Sequence, residues 1–208
     1  MYRTVSGTGQ GEYEDRKSRF IGQICHTSTE EEAIAFIDSV KSQNRKARHN
    51  VYAYILRDGN TTRYTDDGEP SGTAGVPVLE LMQHEGLVDV CVVVTRYFGG
   101  ILLGTGGLVR AYTAAARAAI DASHICEMEE CAVISVVCDY TYYGTLQNLF
   151  PKYDVRTVSS DFADNVSLML YCRADLSDEF CSAVTDLTNG RVTPKTERIE
   201  FADMNASS

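Results

Sequence analysis

A glycine-rich segment flanked by two arginines has the residue types needed to hold an anion against the backbone. Its glycines are Gly99, Gly100, Gly104, Gly106 and Gly107, and the flanking cations are Arg96 and Arg110. Because glycine lacks a Cβ, a ligand or a neighbouring chain can approach the backbone closely. The apolar run at residues 87–94 predicts a buried strand, and the spacing of residues 108–119 predicts a helix. A glycine loop between a strand and a helix start favours anion binding, because the first N–H groups of a helix are unpaired.

The loop does not carry the standard nucleotide motifs. A P-loop requires Lys and then Ser or Thr after its glycines, where this chain has Leu108 and Val109. The dinucleotide motif G-x-G-x-x-G also fails, because Val109 occupies its third glycine position. A tight turn with close packing is the alternative explanation for the glycines. Arg96 needs a carboxylate, carbonyl or phosphate partner, and that partner could belong to the protein itself.

A local basic patch is predicted on an otherwise acidic chain. The net charge of −10 repels nucleic acid overall. Between Asp38 and Asp58, however, there are no acidic residues, and the cations there are Lys41, Arg45, Lys46, Arg48 and Arg57. Favourable interaction with a helix C-terminus explains the first three. Arg48 and His49 precede an alternating strand and are better candidates for binding.

An acidic loop offers the best case for an enzyme. Its oxygen-bearing side chains are Asp66, Asp67, Glu69, Ser71 and Thr73. Such ligands could hold Mg²⁺ against a phosphate. These residue types are also ordinary turn formers. In a third interpretation, the loop folds over the glycine segment, its carboxylates pair with Arg96 or Arg48, and Lys17 and Arg19 lie at the edge of the resulting groove.

Composition indicates a cytoplasmic protein without a metal or another cofactor. The seven cysteines form no C-x-x-C pair and the four histidines lack metal-ligand spacing. We therefore interpret the cysteines as reduced. No apolar run approaches the length needed to span a bilayer, and the N-terminus lacks the apolar region of a signal peptide. Membrane association is not expected.

The predicted elements define a two-domain α+β protein. In the first domain, residues 1–125, the pattern predicts a helix at 29–43, a hairpin from 51–56 and 61–65, and a helix from Pro77 to before Gly86. The charged segment at 121–130 breaks the periodicity and is predicted to contain the boundary between the two domains. The second domain, residues 131–203, reads as βαββαβ, the ferredoxin-like order. Its predicted elements are strand 132–139, helix 144–150, strands 154–160 and 166–171, helix 178–187 and strand 191–201.

Four motifs resemble those of the IMPACT family, in particular its bacterial YigZ branch. They are KSRF at 17–20, ARHNVYAY at 47–54, DDGEPSGTAGVP at 66–77 and RYFGGILLG at 96–104. The resemblance is strong over about residues 1–125. It implies an N-terminal fold similar to domain IV of elongation factor G and part of a small-subunit ribosomal protein. It implies a C-terminal domain similar to ferredoxin-like modules of elongation factor G.

The resemblance also implies a role in translation, because eukaryotic family members regulate translation. We therefore expect a binding protein rather than an enzyme, with RNA, the ribosome or a translation-related protein as its partner. No sequence-specific DNA binding is expected. The predicted phosphate contacts, beside the loop glycines, are Lys17, Arg19, Arg48, His49, Arg96 and Arg110. The alternative is a phosphate-handling enzyme that holds Mg²⁺ with Asp66, Asp67 and Glu69.

Overall fold

The computed structural model describes residues 1–205, which form two compact units. One unit comprises residues 2–126, and the other comprises residue 1 with the residues from 127 onward. The α-helices and β-strands that lie wholly within the first unit are β1 Tyr2–Ser6, β2 Thr8–Asp15, β3 Ser18–His26, α1 Glu30–Gln43, β4 His49–Leu56, β5 Thr61–Thr65, α2 Gly75–His84, β6 Val90–Tyr97 and α3 Thr105–Asp121. The predicted order of strand, glycine loop and helix is confirmed by β6 and α3.

The first unit contains a five-stranded antiparallel sheet between two layers of helices. The strand order is β2-β3-β6-β4-β5. Successive side chains of β6 point to opposite faces, so Val92 and Val94 pack with α2 and α3 whereas Cys91 and Val93 pack with α1. The predicted α+β class is confirmed.

Helix α3 lies unusually close to β2 and β3 because glycines replace side chains beneath it. A Cβ on Gly22 would lie 2.1 Å from the Ala115 carbonyl oxygen, and a Cβ on Gly11 would lie 2.4 Å from the Ala118 carbonyl carbon. Real Cβ atoms do not approach backbone so closely, so only glycine fits at these positions. The backbone contact fixes α3, and with it the end of the glycine loop.

Several predicted boundaries in the first unit need correction. Strand β6 continues through Arg96 to Tyr97, beyond the predicted end at residue 94, and α2 begins at Gly75 instead of Pro77. Helix α1 agrees with its prediction, since the Thr29 hydroxyl caps it by accepting from the Glu32 N–H at 3.2 Å. The strands β1, β2 and β3 were not predicted.

The second unit has the predicted βαββαβ order. Its elements are β7 His124–Cys138, which begins in the first unit, α4 Tyr140–Gln147, β8 Arg156–Phe162, β9 Val166–Arg173, α5 Ser177–Leu187 and β10 Lys195–Asp203. The antiparallel order β10-β7-β9-β8 places β7 and β9, the first and third strands of the motif, in the middle. Leu146 of α4 and Phe180 of α5 pack on one face of this sheet.

The two compact units divide between Cys126 and Glu127, within the segment 121–130 where the sequence predicts the boundary. The backbone nevertheless continues through this division as one strand, β7. Helix α4 begins at Tyr140, four residues before its predicted start. Of the helices formed by residues 1–205, none combines the length and the apolar character needed to cross a membrane.

Candidate functional site

Three strands bring Phe20, Arg96 and His49 into one row at the end of the first sheet. Arg96 of β6 lies opposite Phe20 of β3 and opposite His49 of β4. Residues opposite each other in an antiparallel sheet share a face. This row therefore continues the face that carries α2 and α3.

A buried ion pair joins this row to the acidic loop. Arg96 Nη1 donates to Glu69 Oε1 at 2.5 Å, and the two side chains are only 6% and 5% exposed. The Tyr112 hydroxyl of α3 donates to the same carboxylate oxygen at 2.8 Å. Burial raises the pKa of Tyr112 well above its usual value, and the adjacent Glu69 carboxylate raises it further. Tyr112 therefore stays a neutral hydrogen-bond donor.

His49 connects the row to the loop a second time. Its Nδ1 lies 2.7 Å from the Asp67 carbonyl oxygen, which can only accept a hydrogen bond. Nδ1 therefore carries the hydrogen, and Nε2 faces Glu69 Oε1 at 3.8 Å.

The remaining acidic side chains of the loop accept hydrogen bonds from backbone N–H groups of the protein itself. Asp66 accepts from the backbone N–H groups of Gly72, Ala74 and Gly75 at 2.8–3.1 Å, and so caps the start of α2. Asp67 Oδ2 accepts from the Asn50 N–H at 2.6 Å.

The hydroxyls of the loop do not complete a cation site. Thr73 donates to the Pro70 carbonyl at 2.6 Å, and Ser71 is exposed. Because Asp66, Asp67 and Glu69 each have different protein donors, a cation would have to replace several hydrogen bonds. This arrangement disfavours the Mg²⁺ alternative, and it matches the interpretation in which the loop pairs with Arg96.

Aromatic rings cover the arginine beneath the glycine loop. The Arg96 guanidinium carbon lies 5.3 Å from the Phe20 ring centroid and 5.4 Å from the Phe98 ring centroid. The exposed Arg48 approaches Phe98 to 5.9 Å. Phe98 thus lies between a buried guanidinium and an exposed one, within the range of cation–π attraction.

The glycine loop crosses the β2–β3 turn in direct backbone contact. A Cβ on Gly99 would lie 2.1 Å from the Lys17 carbonyl carbon, and the Gly99 N–H donates to Ser18 Oγ at 3.1 Å. Gly100 and Gly104 adopt positive φ values of 86° and 74°, which glycine tolerates best. Close packing therefore explains part of the glycine content, as the alternative interpretation proposed.

The other loop glycines lie at the start of α3. A Cβ on Gly107 would contact Leu103, whereas a Cβ on Gly106 would have its nearest neighbour, Arg110 Nη1, at 3.7 Å. The Gly106 backbone is therefore open on its Cβ side. Leu108 makes the first intrahelical hydrogen bond, to the Gly104 carbonyl. The N–H groups that precede it belong to the free first turn of the helix.

Exposed side chains around the loop form what we call the glycine-loop surface, which consists of Arg16, Lys17, Arg48, Phe98, Leu102 and Arg110. Leu102 is 80% exposed, and its carbonyl accepts from Arg16 Nη1 at 3.1 Å. Within residues 1–205, none of the four cations of this surface forms an ion pair.

Three predicted contact residues lie outside this surface, and one of them, His49, faces the acidic loop. The side chain of Arg19 points to the opposite face of the sheet from that of Phe20. It therefore lies on the α1 side, where it pairs with Glu12. Arg96 is buried beneath the surface. The sequence analysis did not select Arg16, Phe98 or Leu102, although Phe98 and Leu102 lie within the RYFGGILLG motif.

The structure therefore defines a two-domain α+β protein whose N-terminal unit carries an exposed glycine loop, with cations around it and a buried ion pair beneath it. Its sequence matches the Impact N-terminal domain over residues 16–120 and a domain of unknown function, DUF1949, over residues 136–191. The chain belongs to the IMPACT family.

Relatives with this family name span nearly the whole chain. IMPACT family member YvyE of Bacillus subtilis is 36% identical, with 97% of this chain and 94% of YvyE covered. IMPACT family member YigZ of Escherichia coli is 34% identical, with coverages of 85% and 88%. A crystal structure of a hypothetical protein is 31% identical and has a TM-score of 0.60, with coverages of 95% and 97%.

A eukaryotic relative matches a smaller part of the chain. The protein IMPACT homolog of Saccharomyces cerevisiae is 38% identical, with 43% of this chain and 36% of the yeast protein covered.

Proposed function

We propose that this protein is a translation-linked regulatory protein that binds RNA, on the ribosome or free, through the glycine-loop surface without catalysing a reaction. The family supports a role in translation, since its eukaryotic members regulate translation. The observation that supports the binding site is a group of four cations around one exposed loop, which have no acidic partner among residues 1–205, in a chain with a net charge of −10. Such a concentration of unpaired positive charge favours phosphate.

The surface offers RNA three kinds of contact. Arg48 and Arg110 supply positive charge for phosphates, and the first turn of α3 supplies free N–H groups. The Phe98 ring is 40% exposed and could stack on an unpaired base. The open backbone at Gly106 allows a phosphate to approach more closely than any larger residue would permit.

In this proposal, Arg96 positions the loop and does not touch RNA. Its guanidinium is buried between Glu69, Phe20 and Phe98, so an Arg96→Ala variant would disturb the fold together with the surface. The informative substitutions are those of exposed cations.

The test measures binding of the purified protein to ribosomes and to total RNA at several salt concentrations. We expect affinity to fall with salt at a log-log slope of about −0.7 per single-strand phosphate contact. Arg48→Ala and Arg110→Ala should each reduce both the affinity and the slope. Arg19→Ala is the matched control, because Arg19 is an exposed arginine on the other face of the same sheet.

Gly106→Ala separates binding from folding. Its added methyl group meets only ordinary contacts, and alanine favours a helix, so the fold should be retained. RNA binding should nevertheless weaken, because the methyl group occupies the space proposed for phosphate. Equal RNA affinity in the wild type, Gly106→Ala and Arg48→Ala proteins would exclude RNA from this surface.

A further inference from the structure

An exposed aromatic cluster lies at one end of the C-terminal sheet. Tyr140 and Phe162 are 53% and 51% exposed, and their ring centroids are 6.5 Å apart. The Tyr143 ring contacts Phe162 edge to face at 5.4 Å. The Tyr140 hydroxyl donates to the Ala163 carbonyl at 2.8 Å and so ties the start of α4 to the turn after β8. Large exposed aromatic groups of this kind are typical of interaction sites.

Two exposed carboxylates lie beside the Tyr140 ring along the chain. Asp139 directly precedes Tyr140, and Asp164 lies in the turn that the Tyr140 hydroxyl contacts. Neither pairs with a cation of the described chain, residues 1–205. Asp161 lies opposite Ser167, on the other face of the sheet from Phe162, and is not part of this cluster. The nearby cation Arg191 donates to the Tyr142 hydroxyl at 3.2 Å. We call Tyr140, Tyr143, Phe162, Asp139 and Asp164 the aromatic-acidic surface.

We propose that the aromatic-acidic surface binds an arginine- and lysine-rich segment of a partner protein. A guanidinium can stack on an exposed ring face and at the same time pair with a neighbouring carboxylate. The two acidic groups repel an RNA backbone, so charge complementarity favours a basic protein segment over nucleic acid. The aromatic rings supply apolar contact area that an acidic surface alone would lack.

This inference extends beyond the RNA-binding proposal, because it concerns the other unit of the chain and a partner of the opposite charge. Either proposal can fail without the other. A loss of RNA binding in the Arg48→Ala variant, for example, carries no expectation for the aromatic-acidic surface.

The experiment uses the full chain and a fluorescein-labelled peptide of alternating Arg and Ser, with binding followed by fluorescence anisotropy. The double variant Tyr140→Leu/Phe162→Leu keeps apolar volume but removes both ring faces, and should weaken binding about tenfold. Tyr140→Phe keeps the ring and should bind like the wild type. A peptide of alternating Gln and Ser should not bind.

A charge-matched control tests whether the contact is local. Asp139→Asn/Asp164→Asn should weaken binding about tenfold, whereas Glu179→Gln/Asp186→Asn, the same charge change on exposed positions of α5, should leave it within about twofold.

Three results would overturn the proposal. Unchanged binding in the double leucine variant would exclude the rings, and an equal loss in both charge variants would show only general attraction to an acidic protein. Preferential binding of an RNA oligonucleotide that is lost in the leucine variant would assign the surface to nucleic acid instead.

Discussion

The glycine-loop surface and the aromatic-acidic surface carry opposite charge on the same chain. Within residues 1–205, the first displays four cations without acidic partners, and the second displays two carboxylates without cationic partners. A net charge of −10 therefore describes neither surface. The chemistry of a partner follows from local clusters of charge and exposed apolar groups, not from the sum over the chain.

The two surfaces also differ in what lies beneath them. The glycine-loop surface rests on the buried pair of Glu69 and Arg96, whereas the aromatic-acidic surface is held by ring contacts and the Tyr140 hydrogen bond. Substitutions of the buried residues beneath the glycine-loop surface should therefore affect stability strongly. Substitutions within the second should affect binding and leave the fold nearly unchanged.

The largest effect is expected from Glu69→Gln. It leaves the Arg96 charge buried without its counter-ion and should cost about 3–5 kcal/mol of stability. Hydrogen exchange measured on peptides from β6 and α3 reports this loss for the N-terminal unit separately. Glu12→Gln is the control, because it removes an exposed ion pair with Arg19 and should cost less than about 1 kcal/mol. Equal protection in the two variants would mean that the buried pair does not support the loop.

A glycine substitution in each unit tests the same difference in stability between the N-terminal and C-terminal units. Gly22→Ala forces a methyl group into the Ala115 carbonyl and should cost about 3 kcal/mol or more. Gly144→Ala in α4 meets nothing within 4 Å and should stabilise the C-terminal unit by up to about 1 kcal/mol. Thermal unfolding, followed by circular dichroism, distinguishes the expected loss of stability in the first variant from the expected gain in the second.

Alkaline pH should weaken the N-terminal unit through Tyr112. Its folded pKa is raised above the unfolded value, so its contribution to stability is complete below the unfolded pKa and is lost as pH rises beyond it. Tyr112→Phe removes the hydrogen bond to Glu69 and should cost about 1.5–3 kcal/mol at neutral pH. The variant should then lose less stability at alkaline pH than the wild type, as measured by denaturant titration. If the stability of the wild type falls no more steeply with rising pH than that of the variant, this role of Tyr112 is contradicted.

The smallest effect on stability should come from reversing charge at the surfaces. Arg48→Glu/Arg110→Glu should reduce RNA affinity at least about tenfold with little change in unfolding. Asp139→Asn/Asp164→Asn should leave RNA affinity within about twofold. Filter-binding measurements on both variants test the separation, and a similar fall in both would show that RNA does not discriminate between the surfaces.

The sequence predicted the elements whose signals are local. The capped helix α1, the order from β6 through the glycine loop to α3 and the βαββαβ order of the second unit all depend on spacing within short segments. Strand β2 was missed because TGQGEYED has glycines and polar residues where an alternating apolar pattern would indicate a strand. Its glycines are explained only by the helix that packs on them.

The arrangement of the site depends on contacts between distant segments. Phe20, His49 and Arg96 become neighbours through strand register, which the sequence does not specify by local pattern. Similarly, Asp67 and Glu69 acquire different partners because the loop turns at Asp67 and Gly68, which have φ values of 42° and 85°. The sequence could therefore identify the acidic loop but not assign a role to each carboxylate.

The glycines beneath α3 limit how this protein can change. On its inner side, Ala115, Ala118 and Ala119 meet bare backbone, so a larger side chain there would have to lift the whole helix from the sheet. The outer side, which includes Arg110, has no such restriction. Substitutions that alter partner preference can therefore accumulate at the outward positions of α3 while the inward positions stay small.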